Sequence, residues 1–85
     1  MPIICQFLGV IITMYYYDHA PPHFHARYGG YEITVNILTG LVTGTFPKRA
    51  LRFVLEWYEL HHNELIENWE RCQNAQPLLP IQPLE

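Results

Sequence analysis

Two consecutive glycines, Gly29–Gly30, stand between two runs in which apolar and polar side chains alternate. Such a pair is typical of a two-residue β-hairpin loop, because glycine readily adopts the positive φ angles that this loop needs. With the glycines as the loop, Tyr28 pairs with Tyr31, and the register continues to a pair between His23 and Asn36. The alternation then gives one apolar face with Phe24, Ala26, Tyr28, Tyr31, Ile33 and Val35, and one polar face with His23, His25, Arg27, Glu32, Thr34 and Asn36.

Further strands are predicted on either side of this hairpin. The apolar segments 3–7 and 10–17 predict two strands with Gly9 between them, and residues 41–45 predict a short strand after a turn at Thr39–Gly40. From Pro47 onwards, apolar residues recur at helical spacing, which predicts a helix over residues 47–73 with Pro47 in its first turn. We therefore expect an α+β fold, with an antiparallel sheet of four or five strands packed on one long C-terminal helix.

The chain has 85 residues, which is enough for one small domain and too few for two. We assign residues 1–46 to the sheet, 47–73 to the helix and 76–85 to an extended arm, because the prolines of the last segment exclude a helix. The arm either packs along its own domain or docks on another chain. Because so short a chain has a thin core and the helix has a wide apolar stripe, we expect a homo-oligomer or a complex with a protein partner.

The location of the protein is predicted from its N-terminal segment and its cysteines. Residues 1–17 are apolar, but no Lys or Arg precedes them, no small-residue cleavage site follows them, and the segment is too short to span a bilayer. Cys5 and Cys72 lie far apart without metal-ligand spacing, and we expect two reduced thiols, with one disulfide between them as the alternative. These features predict a cytoplasmic protein without membrane contact.

Three of the five histidines lie within residues 19–25, directly after Asp18. One interpretation is a site for a divalent metal ion such as zinc. His23 and His25 are two residues apart on a predicted strand, so both side chains project from one face about 6.6 Å apart. His19 is then a third ligand, and Asp18 is a fourth ligand or supports another ligand.

A second interpretation of the same cluster is acid–base catalysis without metal. Histidine accepts and donates protons at neutral pH because its ordinary pKa is about 6.5. The candidate catalytic residues are then His19, His23 and His25, and Arg27 binds a phosphate group of RNA. A third interpretation is structural, with the imidazoles bonded to Thr34, Asn36, Asp18 or backbone carbonyls. The three interpretations stay open, and so does the question whether the chain is an enzyme.

The charges are unevenly distributed along the chain. Residues 1–55 carry a formal charge of +2 and residues 56–85 carry −5, which together give the net charge of −3. The start of the predicted helix holds Lys48, Arg49 and Arg52, which predict an anion site for a phosphate or an acidic partner segment, or else simply exposed side chains. The pI of about 5.9 disfavours a dedicated nucleic-acid binder.

Residues 18–30, the segment 49–52 with Glu56–Trp57, and the closing residues 77–85 together resemble a family of small bacterial proteins known as domain of unknown function 4160. The family has no established activity, so the resemblance carries no catalytic residue to this chain. It implies a genomic context, because genes of this family are often found beside a second small gene, in an arrangement similar to toxin–antitoxin modules.

These observations give two hypotheses of function. The first is a toxin-like component of a two-gene module that directs its histidine-rich sheet face at an anionic target such as RNA. The second is a non-enzymatic binding module, stabilised by a metal ion or docking a protein partner through the helix stripe and the arm.

Overall fold

Five strands in chain order form one antiparallel sheet, which packs on two helices. The computed structural model describes residues 3–84. The elements are β1 (Ile3–Phe7), β2 (Val10–Thr13), β3 (His23–Tyr28), β4 (Tyr31–Asn36), β5 (Val42–Thr45), α1 (Lys48–Leu60) and α2 (His62–Gln73). The expected α+β class and antiparallel sheet are therefore confirmed. Residues 1, 2 and 85, which belong to the predicted sheet and arm segments, lie outside the described residues.

The central hairpin has the predicted register. Strands β3 and β4 pair from His23 with Asn36 to Tyr28 with Tyr31, and Gly29 in the loop has a φ of 57°. The apolar face is buried under the helices except at its loop end, where Tyr28 and Tyr31 are exposed. The opposite face, which we call the open face, carries the polar side chains. Phe24 and Val35 are both fully buried. The hairpin thus separates the core from a surface on which polar groups meet.

Strand β2 is shorter than predicted. The expected strand over residues 10–17 ends at Thr13, and Tyr17 adopts a left-handed φ of 58° in the turn that follows. The hydroxyl of Tyr16 donates to the carbonyl of Gln76 at 3.1 Å. Residues 14–17 were predicted as strand because they are apolar and aromatic, but they turn to meet the C-terminal segment.

The prediction of one helix over residues 47–73 is wrong, because α1 and α2 meet at a bend. His61 leaves the helical region with a φ of −121° and a ψ of 26°. On the two sides of the bend, the hydroxyl of Tyr58 and Nε2 of His62 both donate to the carbonyl of Ile37, at 2.6 and 2.9 Å. These two bonds hold both helix ends against the same turn of the sheet. Pro47 is the N-cap of α1 and not part of its first turn.

The core lies between the apolar sheet face and the helices. The indole of Trp57 is fully buried and packs against the rings of Phe7 and Phe24, with centroids 5.5 and 5.7 Å apart. Helix α2 contributes Leu65 and Cys72, and both Cys72 and Cys5 are buried free thiols, as expected. Neither helix of residues 3–84 combines the length and apolar character needed to span a bilayer.

Residues 76–84 form neither helix nor strand and lie along the domain itself. The N–H of Ile81 donates to the carbonyl of Ile4 at 3.1 Å, and the indole N–H of Trp57 donates to the carbonyl of Gln82 at 2.8 Å. Ile81 is 5% exposed. The segment therefore closes the end of the core next to β1.

Candidate metal centre

Two imidazoles on strand β3 converge with one carboxylate from the bend before it. His23 and His25 alternate with the buried Phe24, so both project from the open face of the sheet. Asp18 lies in the irregular segment 14–22 that connects β2 to β3. The strand fixes the spacing of the two imidazoles, and the bend returns the carboxylate to them.

A single oxygen of Asp18 faces both rings. Oδ2 of Asp18 lies 2.9 Å from Nε2 of His23 and 3.3 Å from Nε2 of His25. One potential ligand atom from each of these residues lies within 4.8 Å of the other two. The exposed fractions of the side chains are 11% for His23, 16% for Asp18 and 17% for His25. The cluster is therefore shielded, yet solvent reaches it.

The outer nitrogen of each ring also faces an oxygen atom. Nδ1 of His23 lies 2.8 Å from the carbonyl of Pro21, and Nδ1 of His25 lies 3.2 Å from Oε2 of Glu32. A carbonyl oxygen only accepts, so Nδ1 of His23 carries the proton of this bond. A neutral imidazole has one N–H, and Nε2 of a neutral His23 therefore presents a lone pair to Asp18.

The cluster thus contains more acceptors than two neutral imidazoles serve. All four ring nitrogens face oxygen atoms, of Asp18, Glu32 and Pro21, whereas two neutral rings carry two N–H groups. A cation between the Nε2 atoms and the carboxylate would satisfy the remaining acceptors.

The Asp18 carboxyl is held in its ionised form. Burial alone raises the pKa of Asp18, but the backbone N–H of His19 and the imidazoles of His25 and His23 outweigh burial and lower this pKa below its usual value. The N–H of His19 donates to Oδ1 of Asp18 at 2.8 Å. At neutral pH, Asp18 is therefore an anion whose Oδ2 is directed at the two rings.

The cluster is bordered by side chains that restrict it. Nε2 of Gln73, at the end of α2, donates to the backbone carbonyl of Asp18 at 3.2 Å. The ring of Trp69 lies 5.3 Å from that of His23, and the ring of Tyr15 meets that of His25 edge-on at 4.6 Å. Helix α2 and the segment after β2 thus hold the three groups in place.

Two of the predicted site residues lie beside the cluster without joining its centre. The His19 side chain is 85% exposed, and its Nδ1 lies 3.0 Å from Oδ1 of Asp18, away from the oxygen that faces the other rings. Arg27 is exposed on the open face, two residues towards the hairpin loop and opposite Glu32.

The structure does not bring the basic residues of α1 to the cluster. All three are exposed in the first turns of the helix: Lys48, Arg49 and Arg52. Arg49 lines a separate cavity together with Tyr28, at the other end of β3. Its guanidinium lies 5.7 Å from the centre of the Phe53 ring. The predicted anion site and the histidine cluster are therefore different places on the molecule.

The cluster forms one wall of a cavity of about 300 Å³. The rest of the lining consists of His19, Pro21, Thr34, Asn36, Leu41 and Thr43. The third interpretation named Thr34, Asn36, Asp18 and backbone carbonyls as partners of the imidazoles. Of these, Asp18 and the carbonyl of Pro21 bond the two rings of the cluster, and Glu32 is an additional partner. Glu32 was missed as a histidine partner because the register places it opposite Arg27. The same register contained the signal, since Glu32 is also the diagonal neighbour of His25 on the open face.

Comparison with known proteins identifies the family and nothing more specific. No curated protein and no solved structure matched the chain. One family model, described as Domain of unknown function (DUF4160), matches residues 9–70, a range that contains the whole histidine–aspartate cluster. The chain therefore belongs to the DUF4160 family.

Proposed function

We propose that this protein binds one divalent transition-metal ion, with zinc as the first candidate, through Oδ2 of Asp18 and Nε2 of His23 and His25. The observation that carries the proposal is the excess of acceptors in the cluster. A metal ion would accept the lone pairs of both Nε2 atoms and would be neutralised in part by the carboxylate. Each Nδ1 would then carry the ring proton and donate a hydrogen bond, from His23 to the carbonyl of Pro21 and from His25 to Glu32.

The spacing of the donor atoms supports this assignment. With metal–ligand bonds of about 2.0–2.1 Å, two ligands of a tetrahedral zinc ion lie about 3.3 Å apart. The distances from Asp18 Oδ2 to Nε2 of His23 and of His25 are 2.9 and 3.3 Å. Two imidazoles and one carboxylate also form a donor set that zinc and iron(II) accept. These two distances are therefore close to the spacing of ligands on one ion.

The hypothesis of an anionic target has weaker support from the geometry. Asp18 and Glu32 place two carboxylates against the imidazoles, and the basic residues of α1 lie at the other end of β3. Both features favour a cation over a bare phosphate group at the cluster itself. A partner encoded by a neighbouring gene, an RNA target and an oligomeric state stay predictions, which metal binding neither requires nor opposes.

Zinc titration of chelator-treated protein without a His tag tests the proposal. Calorimetry and native mass spectrometry are expected to give one zinc ion per chain in the wild type. His25→Gln keeps a polar side chain on the strand but removes the Nε2 ligand, so its zinc binding is expected to be lost. The matched control is His61→Gln, because His61 lies at the helix bend with Glu64 as its partner.

Two results contradict the proposal. One is a wild-type chain that is folded by circular dichroism and takes up no zinc. The other is a His25→Gln chain that binds zinc as tightly as the His61→Gln control. Asp18→Asn provides a second ligand variant in case His25→Gln is unfolded, since the amide keeps the size of the side chain.

A further inference from the structure

We infer that the metal ion keeps one coordination position open towards the cavity, and that a small molecule bearing an oxyanion binds there. The inference rests on the proposed metal site and names the chemical class of its ligand. It is carried by the number of converging ligands and by the polar groups that line the same cavity.

Three protein ligands converge, and the next candidate is directed elsewhere. His19 is the nearest further imidazole, but it is 85% exposed and its Nδ1 contacts Oδ1 of Asp18. The cluster of converging groups contains only Asp18, His23 and His25 among residues 3–84. Sites with three protein ligands typically leave the fourth position of zinc to water or to a ligand, whereas structural sites are closed by four.

Asn36 presents an oriented donor to the cavity. Its Oδ1 accepts the backbone N–H groups of Leu38 and Thr39, at 2.8 and 3.1 Å. These two bonds fix the amide plane and occupy the oxygen, so the group left to donate to a ligand is the Nδ2 amide NH2 group. This NH2 group has no hydrogen-bond partner within residues 3–84, although Asn36 lines the cavity.

Two hydroxyl groups complete the polar floor of the cavity. Thr34 lies opposite His25 on β4, and Thr43 lies opposite Thr34 on β5, so the three side chains form a row across the open face. Within the described chain, neither threonine hydroxyl makes a hydrogen bond. Hydroxyl and amide NH2 groups that make no hydrogen bond at the floor of a cavity are suited to donate hydrogen bonds to the oxygen atoms of a ligand.

Charge and size limit the class of ligand. A divalent ion bound by one carboxylate retains positive charge, which attracts an anion to the open position. The cavity of about 300 Å³ is at the small end of ligand sites, which span about 300–1,000 Å³. A carboxylate or a phosphate group meets both limits, with one oxygen on the metal and another towards Asn36 and the threonines.

The test uses the full chain loaded with cobalt(II), whose visible absorption bands report each change of coordination. Sodium acetate and inorganic phosphate are titrated separately, which distinguishes the two kinds of oxyanion, and acetamide serves as the neutral control. We expect a saturable spectral change with at least one anion and none with acetamide. Asn36→Asp keeps the oxygen that accepts from Leu38 and Thr39 but replaces the donor with a charge, so anion affinity is expected to fall about tenfold or more.

Threonine variants provide the matched control. Thr43→Val is expected to weaken anion binding. Thr45→Val, on the same strand and face but outside the cavity, is expected to leave the anion affinity unchanged. Cobalt binding with a spectrum insensitive to both anions overturns the inference and leaves the metal site standing. Failure of the chain to bind cobalt or zinc at all overturns the proposed function, and the inference with it. His19→Ala tests whether His19 closes the site as a fourth ligand. In that case its loss would change the cobalt spectrum before any anion is added, whereas an open site predicts an unchanged spectrum.

Discussion

Asn68 and Leu79 exchange two hydrogen bonds between α2 and the C-terminal segment. Nδ2 of Asn68 donates to the carbonyl of Leu79, and the N–H of Leu79 donates to Oδ1 of Asn68, both at 2.9 Å. Asn68 is 1% exposed. One buried amide thus satisfies both backbone groups of a residue that belongs to no helix or strand.

Asn68→Ala is expected to lower the free energy of unfolding by about 2–4 kcal/mol, because it leaves the part-buried backbone groups of Leu79 unpaired and opens a small cavity in place of the buried amide. Urea unfolding followed by tryptophan fluorescence measures this loss. Asn63→Ala is the control on the same helix, since Asn63 is exposed, and it should change stability by less than about 0.5 kcal/mol. Equal effects of the two variants would show that the paired bonds do not hold the segment.

Glu32→Gln is expected to weaken zinc binding about tenfold without abolishing it. Glu32 accepts from Nδ1 of His25 and thereby orients that ring and makes its Nε2 a stronger ligand. Competition with a zinc-sensitive dye measures the affinity. Glu64→Gln is the matched control, because Glu64 pairs in the same manner with His61 outside the cluster. An unchanged affinity in Glu32→Gln would remove Glu32 from the site.

Thr13→Val is expected to raise the free energy of unfolding by about 1 kcal/mol. Thr13 is fully buried opposite His25, and its hydroxyl has no hydrogen-bond partner within residues 3–84. Valine keeps the branched shape and removes the unpaired polar atom. Thermal and urea unfolding of chelator-treated protein compare the stability of Thr13→Val with that of the wild type. Thr45→Val is the control at an exposed threonine. A destabilised Thr13→Val chain would indicate that the hydroxyl has a role in the native fold.

The stability of the protein is expected to fall as pH rises above about 8.5, where the thiols of an unfolded chain ionise. Burial raises the pKa of both Cys5 and Cys72, and the charge of Asp18 adds to the effect at Cys72. The unfolded chain therefore releases these protons at lower pH than the folded chain, which favours unfolding in alkali. Urea midpoints between pH 7 and 9.5 measure the slope. Reaction of both thiols with an alkylating reagent should require unfolding, and rapid labelling of native protein would contradict the burial.

The hairpin was predictable because its determinants are local. The glycine loop and the alternation of side chains on both sides fix every pair from Tyr28 and Tyr31 back to His23 and Asn36. The same reasoning placed His23 and His25 on one polar face and identified Asp18 as their neighbour.

What sequence reasoning missed depends on contacts between distant residues. The helix bend is held by bonds from Tyr58 and His62 to Ile37, and no local signal in the helix sequence announces them. Asn68 was passed over because a polar residue within a helix is normally exposed. The exclusion of His19 from the centre of the cluster follows from the conformation of the bend, which composition and spacing do not specify.

The bond from Gln73 to Asp18 joins residues that are 55 positions apart in the chain. The carboxylate of the cluster is thus positioned from the last residue of α2, whereas the two imidazoles belong to a hairpin that closes locally. The position of the cluster thus depends on α2 as well as on the hairpin. An ion at the proposed site would link these two parts of the molecule.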